Sequence, residues 1–272
     1  MTDLITLATP EELAEAAAIF AEQGQDEAAV IKLPFLKIQY DPDLMMKVPH
    51  ARMGMYYVHG PSPSYAENIK MRVLLQHTQW RQQSTEDFKM INKSILMDKR
   101  GQDPIDMLGG VRCGRPEASI WKGFSDAEKK PYKDVVCTRV MRGIVSYDGV
   151  DQNGEKKRIE NEPVQFHMKG MNFMGLSKVI DNLKGSGRQL RDVWLDMHTD
   201  KEGKTFITNF DIDYDTPALL TSDVVATLKV FNDQARQEND SVKKKHYAAL
   251  GTVDHDPGAG FNGYSSALEH SA

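Results

Sequence analysis

The chain has 272 residues with a formal net charge of -5, 40% hydrophobic and 27% charged residues, enough for one large domain or two small ones with a sizeable core. A mean hydropathy of -0.51 and the lack of any apolar run near the roughly 20 residues of a spanning helix exclude a helical membrane protein. The first thirty residues carry acids and no basic stretch, which argues against a secretory leader, and the two cysteines, Cys113 and Cys137, fit a reducing cytoplasm better than a disulfide scaffold.

In chain order, Thr9-Pro10-Glu11-Glu12 predicts a helix start, and Leu13, Ala16, Ala17 and Phe20 follow at helical spacing, with Gly24 as the stop. Residues 30–38 are β-rich, and Pro34 is expected to break the strand or hold it at a sheet edge. Residues 53–59 form a short strand before the turn at 60–64. From Ile69 the period becomes two: Ile69, Met71, Val73 and Leu75 face one way, and Lys70, Arg72 and Trp80 face the other. A second strand spans 88–97 after a turn at 84–87. Residues 99–133 lose all periodicity, and a long excursion of that kind is usually functional.

Regular structure returns with a long strand at 135–147, bent or bulged at Gly143. Residues 149–161 read as a polar hairpin loop carrying Lys156, Lys157 and Arg158. A strand at 164–168 leads into an amphipathic helix marked by Phe173, Leu176, Val179, Ile180 and Leu183. Val193, Leu195 and Met197 alternate with Trp194, Asp196 and His198. The last strand sets Phe206, Phe210, Ile212 and Tyr214 on one face, and a C-terminal helix capped by Ser222 runs to about Ala249. The expected organisation is an N-terminal helix at 1–29, a β domain at 30–214 with its insertion at 99–133, a helix at 215–250 and a flexible tail at 251–272.

This order, three strands, a helix and two strands, is that of the oligonucleotide-binding (OB) fold. The expected class is therefore mainly β with flanking helices: an OB-like five-stranded Greek-key barrel with a helix between strands 3 and 4 and a long insertion. Charge placement agrees with a polyanionic partner. Residues 66–204 hold 25 Lys/Arg against 20 Asp/Glu, while residues 1–65 hold 4 against 9 and residues 205–272 hold 5 against 10.

Basic and aromatic side chains alternate along the expected strands. Lysines and arginines neutralise phosphates, and aromatic rings stack on bases of any identity. Lys70, Arg72, Trp80 and Arg81 come from one strand, Lys89 and Lys93 from the next. Trp121 and Tyr132 lie in the excursion among Lys122, Lys129, Lys130 and Lys133. Arg139, Arg142, His167, Lys169 and Trp194 complete the expected contacts, with the Lys156–Lys157–Arg158 run closing over the strand.

The phrases NKSILM at 92–97, GGVRCGRP at 109–116, FSDAEKKPYKDV at 124–135, RVMRGIVSYDG at 139–149 and PVQFHMKGMNFMGLSKVIDNL at 163–183 resemble single-stranded DNA-binding proteins of tailed bacteriophages. KLPFLKIQYDPD at 32–43 resembles their opening strand. The resemblance implies an OB fold and sequence-independent binding of single-stranded DNA in phage replication or recombination, in the host cytoplasm. It also implies recruitment of replication proteins through an acidic C-terminal tail. Here that tail holds only Asp254, Asp256 and Glu269. The alternative is a phage structural or assembly protein acting through protein contacts, and either reading allows an oligomer.

No catalytic role, cofactor, metal or membrane partner is expected. Asp211, Asp213 and Asp215 fall on one strand face as solvated carboxylates, without a histidine or basic partner nearby to make a nuclease site. The two cysteines lack zinc spacing, and the glycines at 109, 110 and 114 lack the Lys-Ser/Thr pair of a phosphate loop.

Overall fold

The computed structural model describes residues 8–21, 33–84, 89–100, 104–132 and 134–251. The expected helix stop at Gly24, the start of the strand at 30–32, the turn at 85–87, Lys133 and the tail beyond 251 lie outside them. Among the described residues the elements are α1 (Pro10–Ala21), β1 (Phe35–Ile38), α2 (Pro42–Lys47), β2 (Tyr56–Val58), β3 (Tyr65–Ala66), β4 (Asn68–Gln83) and β5 (Met90–Lys93). Then come α3 (Ala118–Gly123), α4 (Asp126–Lys129), β6 (Val135–Val150), β7 (Lys156–Met168), α5 (Met171–Gly185), β8 (Trp194–Glu202), β9 (Thr205–Asp213) and α6 (Ser222–Ala249). The protein is mainly β; among the described residues a mixed sheet of nine strands stands where five were expected, and no described helix is long and apolar enough to cross a membrane.

The chain divides into two units, the first from residues 1–79, 96–102 and 136–237, the second from 80–95, 103–135 and 238–272. In the first, the strand order is β3-β2-β1-β7-β6-β4-β8-β9. β1 runs parallel to β7, while β8 runs antiparallel to both β4 and β9. A further antiparallel pairing, Tyr65 with Val150, joins β3 to β6. Period-two alternation explains the core: Ile69, Met71 and Val73 of β4, Val164, Phe166 and Met168 of β7, and Leu195 and Met197 of β8 turn one way. They meet Leu176, Val179 and Leu183, the apolar stripe of α5.

Several local expectations shift. β1 begins only after Pro34, and it is interior, between β2 and β7, because the proline stands outside the paired residues. β6 stays paired through Gly143. The glycine is needed there because a Cβ would overlap the Arg72 carbonyl oxygen. The bulge falls instead between Val145 and Tyr147. The Lys156–Lys157–Arg158 run is strand, paired with Val150, Gly149 and Asp148, so its polarity marks an exposed strand end rather than a loop. Tyr214 lies past the end of β9 and is 62% exposed. At α1, Thr9 and Glu12 form a reciprocal cap, with the Glu12 amide donating to Thr9 Oγ1 at 3.2 Å and the Thr9 amide to Glu12 Oε2 at 2.7 Å. At α6 the cap is Thr221, whose Oγ1 accepts from Val224 N, whereas the Ser222 hydroxyl donates to Glu12.

In the second unit, the end of β4 pairs with β5 through Arg81 and Lys93. Lys93 Nζ meets Glu238 Oε1 of α6 at 2.7 Å. The stretch expected to be irregular carries α3, α4 and a 3-10 turn at Lys130–Tyr132.

Candidate functional site

The segment 104–132 of the second unit is built around one buried carboxylate. Asp106 accepts from the amides of Leu108 (3.1 Å), Gly110 (2.9 Å) and Gly114 (2.8 Å). These bonds curl the chain so tightly that Arg112 and Cys113, as well as Gly109 and Gly114, adopt positive φ. The Cys113 thiol is buried and donates to the Trp80 carbonyl at 3.0 Å, and burial pushes its pKa up. The curl delivers Arg115 to the aromatic groups that follow.

Ser125 and Glu128 form a capping box at α4. That box turns the chain between two aromatic positions and brings Trp121, Phe124 and Tyr132 together. Ring centres are 5.6 Å apart for Trp121–Tyr132, 6.0 Å for Trp121–Phe124 and 6.2 Å for Phe124–Tyr132. Arg115 lies 4.5 Å from the Trp121 ring centre and 5.3 Å from that of Trp80, and the Lys129 ammonium is 5.9 Å from Trp121. Trp121, Phe124 and Tyr132 are half-buried, and Lys122 and Lys130 are exposed. The cluster therefore offers π surface with fixed positive charge, the combination that attracts a planar group carrying a phosphate.

Of the expected contacts, Trp121 and Tyr132 come together here. Trp80 is 5% exposed, beneath Arg115 rather than on an outward face. Arg81 is half-buried and burial lowers its pKa; Lys93 is engaged by Glu238, and Lys89 is exposed.

In the first unit, the strand alternation holds but the second sheet face is largely not solvent. Trp194 turns away from Val193 and Leu195 as expected, yet it is 8% exposed and packs with Val224, Val225, Leu228 and Phe231 of α6. Arg72 is buried for the same reason. Its guanidinium donates to the carbonyls of Arg191, Ala218 and Leu219, and burial lowers its pKa to about 10. Arg142 is buried within β6. Arg139 is buried too, donating to Gln76 Oε1 and Ser177 Oγ with its guanidinium 4.2 Å from the Phe173 ring centre. These four side chains are buried, where an outward placement was expected.

Lys70 is half-exposed and tied to Asp213 at 2.5 Å, with Asp196 at 3.7 Å. Asp213 is thus a buried partner rather than a solvated carboxylate, and Lys70 with Thr216 holds its pKa well below the usual range. Lys156, Lys157, Arg158 and Lys169 are exposed, although Arg158 pairs with Glu160 and Lys157 donates to the Ser62 carbonyl. His167 is half-buried, edge-on to Phe35 at 5.1 Å. Among the described residues no group of three or more His, Cys, Asp or Glu side chains could hold a metal ion.

Sequence reasoning missed Phe124 and Arg115. Phe124 had a signal, three residues from Trp121 in the helical turn that faces Tyr132. Arg115 had none, because its place follows from the Asp106 loop. Comparisons with family models, with curated proteins and with solved structures find no match.

Proposed function

We propose that this chain binds single-stranded DNA without sequence preference and protects it during phage DNA replication or recombination. The observation that carries the reading is the half-exposed cluster of Trp121, Phe124 and Tyr132 with Arg115 and Lys129 against the rings. Such a surface stacks any base and neutralises phosphate, at about 1–3 kcal/mol per stacked base. The reading is supported by topology as well: the five neighbours β7-β6-β4-β8-β9, with α5 between β7 and β8, follow the OB order 3-2-1-4-5. In that reading residues 84–134 are the insertion between OB strands 1 and 2, and the second unit takes most of them. The protein acts as a binder rather than an enzyme, in the host cytoplasm, and replication proteins are its further partners.

The test is tryptophan fluorescence during titration with oligo-dT at low and high salt. Trp80 and Trp194 are buried, so saturable, salt-reversible quenching should come from Trp121 and vanish in Trp121→Phe. Exposed Leu108, Val111 and Ile120 in the same unit favour a second reading, an assembly protein that docks another protein there. A flat titration with no mobility shift supports that second reading and sinks the first.

A further inference from the structure

The outer face of the first unit's sheet is covered in two places. Along β6, β4 and β8, α6 covers it, with Ile144, Leu74 and Trp194 packed on Val225, Leu228 and Phe231. Along β2 and β3, Tyr57 and Tyr65 pack with Ala51, Met55 and Leu44 of α2. The strands between these covers are β1 and β7. Their inward residues, Leu36 and Phe166, are paired in register and buried in the core. The outward residues are therefore Phe35, paired with Gln165, and, two positions further along each strand, Lys37 and His167. All four are half-exposed, and Lys169, one outward step further, is exposed. The Phe35 and His167 rings meet edge to face at 5.1 Å and 89°.

We propose that this strip is a second contact surface for single-stranded DNA, on the first unit, with Phe35 and His167 stacking a base and Lys37 and Lys169 taking the flanking phosphates. The inference rests on the single-strand reading above and adds a site to it. Charge selects the occupant: the outward positions of β1 and of residues 163–169 carry two lysines and no acid. Among the described residues, this half-exposed ring pair between two covered stretches of one sheet face is a platform of the size of a base. Stacking on such a platform is indifferent to base identity, and lysines on both sides suit a polyanion that runs along the strip.

The test uses the full chain with oligo-dT, comparing wild type with Phe35→Leu, with the double variant Lys37→Ala/Lys169→Ala and with Trp121→Ala. Phe35→Leu keeps apolar volume in β1 and removes the ring face, and should weaken binding about tenfold. The lysine pair should lower the slope of log affinity against log salt by about 1.4, at roughly 0.7 per phosphate contact on single strands. Ultraviolet crosslinking should label peptides containing Phe35 or His167 in addition to Trp121. If Phe35→Leu melts lower than wild type, the lysine pair and the crosslinked peptides decide. Unchanged affinity and salt slope, with crosslinks confined to the second unit, would overturn this site and leave the single-strand reading standing. No binding by wild type would overturn both.

Discussion

The guanidinium of Arg115 lies 4.5 Å from the centre of the Trp121 ring and 5.3 Å from that of Trp80, so a single cation is shared by two indoles. One indole is buried and the other is half-exposed, so Arg115 links the anchored part of the second unit to its open surface. Arg115→Ala should cost about 1–2 kcal/mol, the value of partly desolvated cation–π contacts. Arg115→Lys should restore only part of it, because an ammonium lacks the flat face that stacks. Denaturant unfolding followed by tryptophan emission measures both; equal stability of all three proteins would show that the stack is incidental.

Trp194→Ala should destabilise the first unit by about 3–5 kcal/mol through the cavity it leaves beneath α6. Oligo-dT affinity of the fraction that folds should not change, because the ring does not reach the surface. Unfolding curves and a titration at low temperature check the two halves separately.

That reversal marks how much of the fold was legible in the sequence. Elements read from local period stand in place, although the strand ends shift: α5 was expected from Phe173, Leu176, Val179, Ile180 and Leu183, and Leu176, Val179 and Leu183 are its buried residues. The alternation of β8 was also right, and that of β4 held for Ile69, Met71 and Val73, whereas Leu75 packs with the cluster on the other face. What failed was the assumption that the other face meets water. The helix covering Trp194 contributes Val224 to Phe231, some thirty residues away, and no local pattern reports such a cover. The Phe35–His167 contact joins residues even further apart, brought together by the parallel pairing of β1 with β7. Trp121 and Tyr132 were legible because their neighbours are near in sequence and visibly basic.

Asp213 accepts from Lys70 Nζ at 2.5 Å, Thr216 Oγ1 at 2.6 Å and the amides of Asp215 and Thr216. Asp213→Asn should cost about 1–3 kcal/mol at neutral pH. Because the folded carboxyl has a lowered pKa, its stabilisation is complete above the unfolded value of about 3.9. It fades as pH falls from that value toward the folded one. The acid limb of the wild-type stability curve should therefore be steeper than that of Asp213→Asn, which thermal melts between neutral and strongly acidic pH can compare.

Gly143→Ala should destabilise by about 2–3 kcal/mol or more, since its Cβ would meet the backbone carbonyl of Arg72 rather than a side chain that can step aside. Amide exchange across β4 and β6 should localise the damage; protection equal to wild type would show that the strands can separate without loss.

Cys113 is buried with its thiol pKa raised, whereas Cys137 is half-exposed. A thiol reagent at neutral pH should modify Cys137 first and Cys113 only as the protein unfolds. Rapid modification of both in the native protein would contradict the hydrogen bond from Cys113 to the Trp80 carbonyl.

The second unit is assembled from chain segments made at very different times. Its Asp106 loop is fastened to the last helix: the Asp106 carbonyl is 2.9 Å from His246 Nδ1, and Gly109 lies against Ala249 and Leu250. Between Val135 and Glu238 the ribosome must add about a hundred residues, roughly 5–20 s of synthesis. Through that interval Trp121, Phe124 and Tyr132 have been synthesised while the part of the helix that fastens their loop has not. The aromatic surface is thus a late product of translation, and a nascent chain halted before α6 would carry those rings without their anchor.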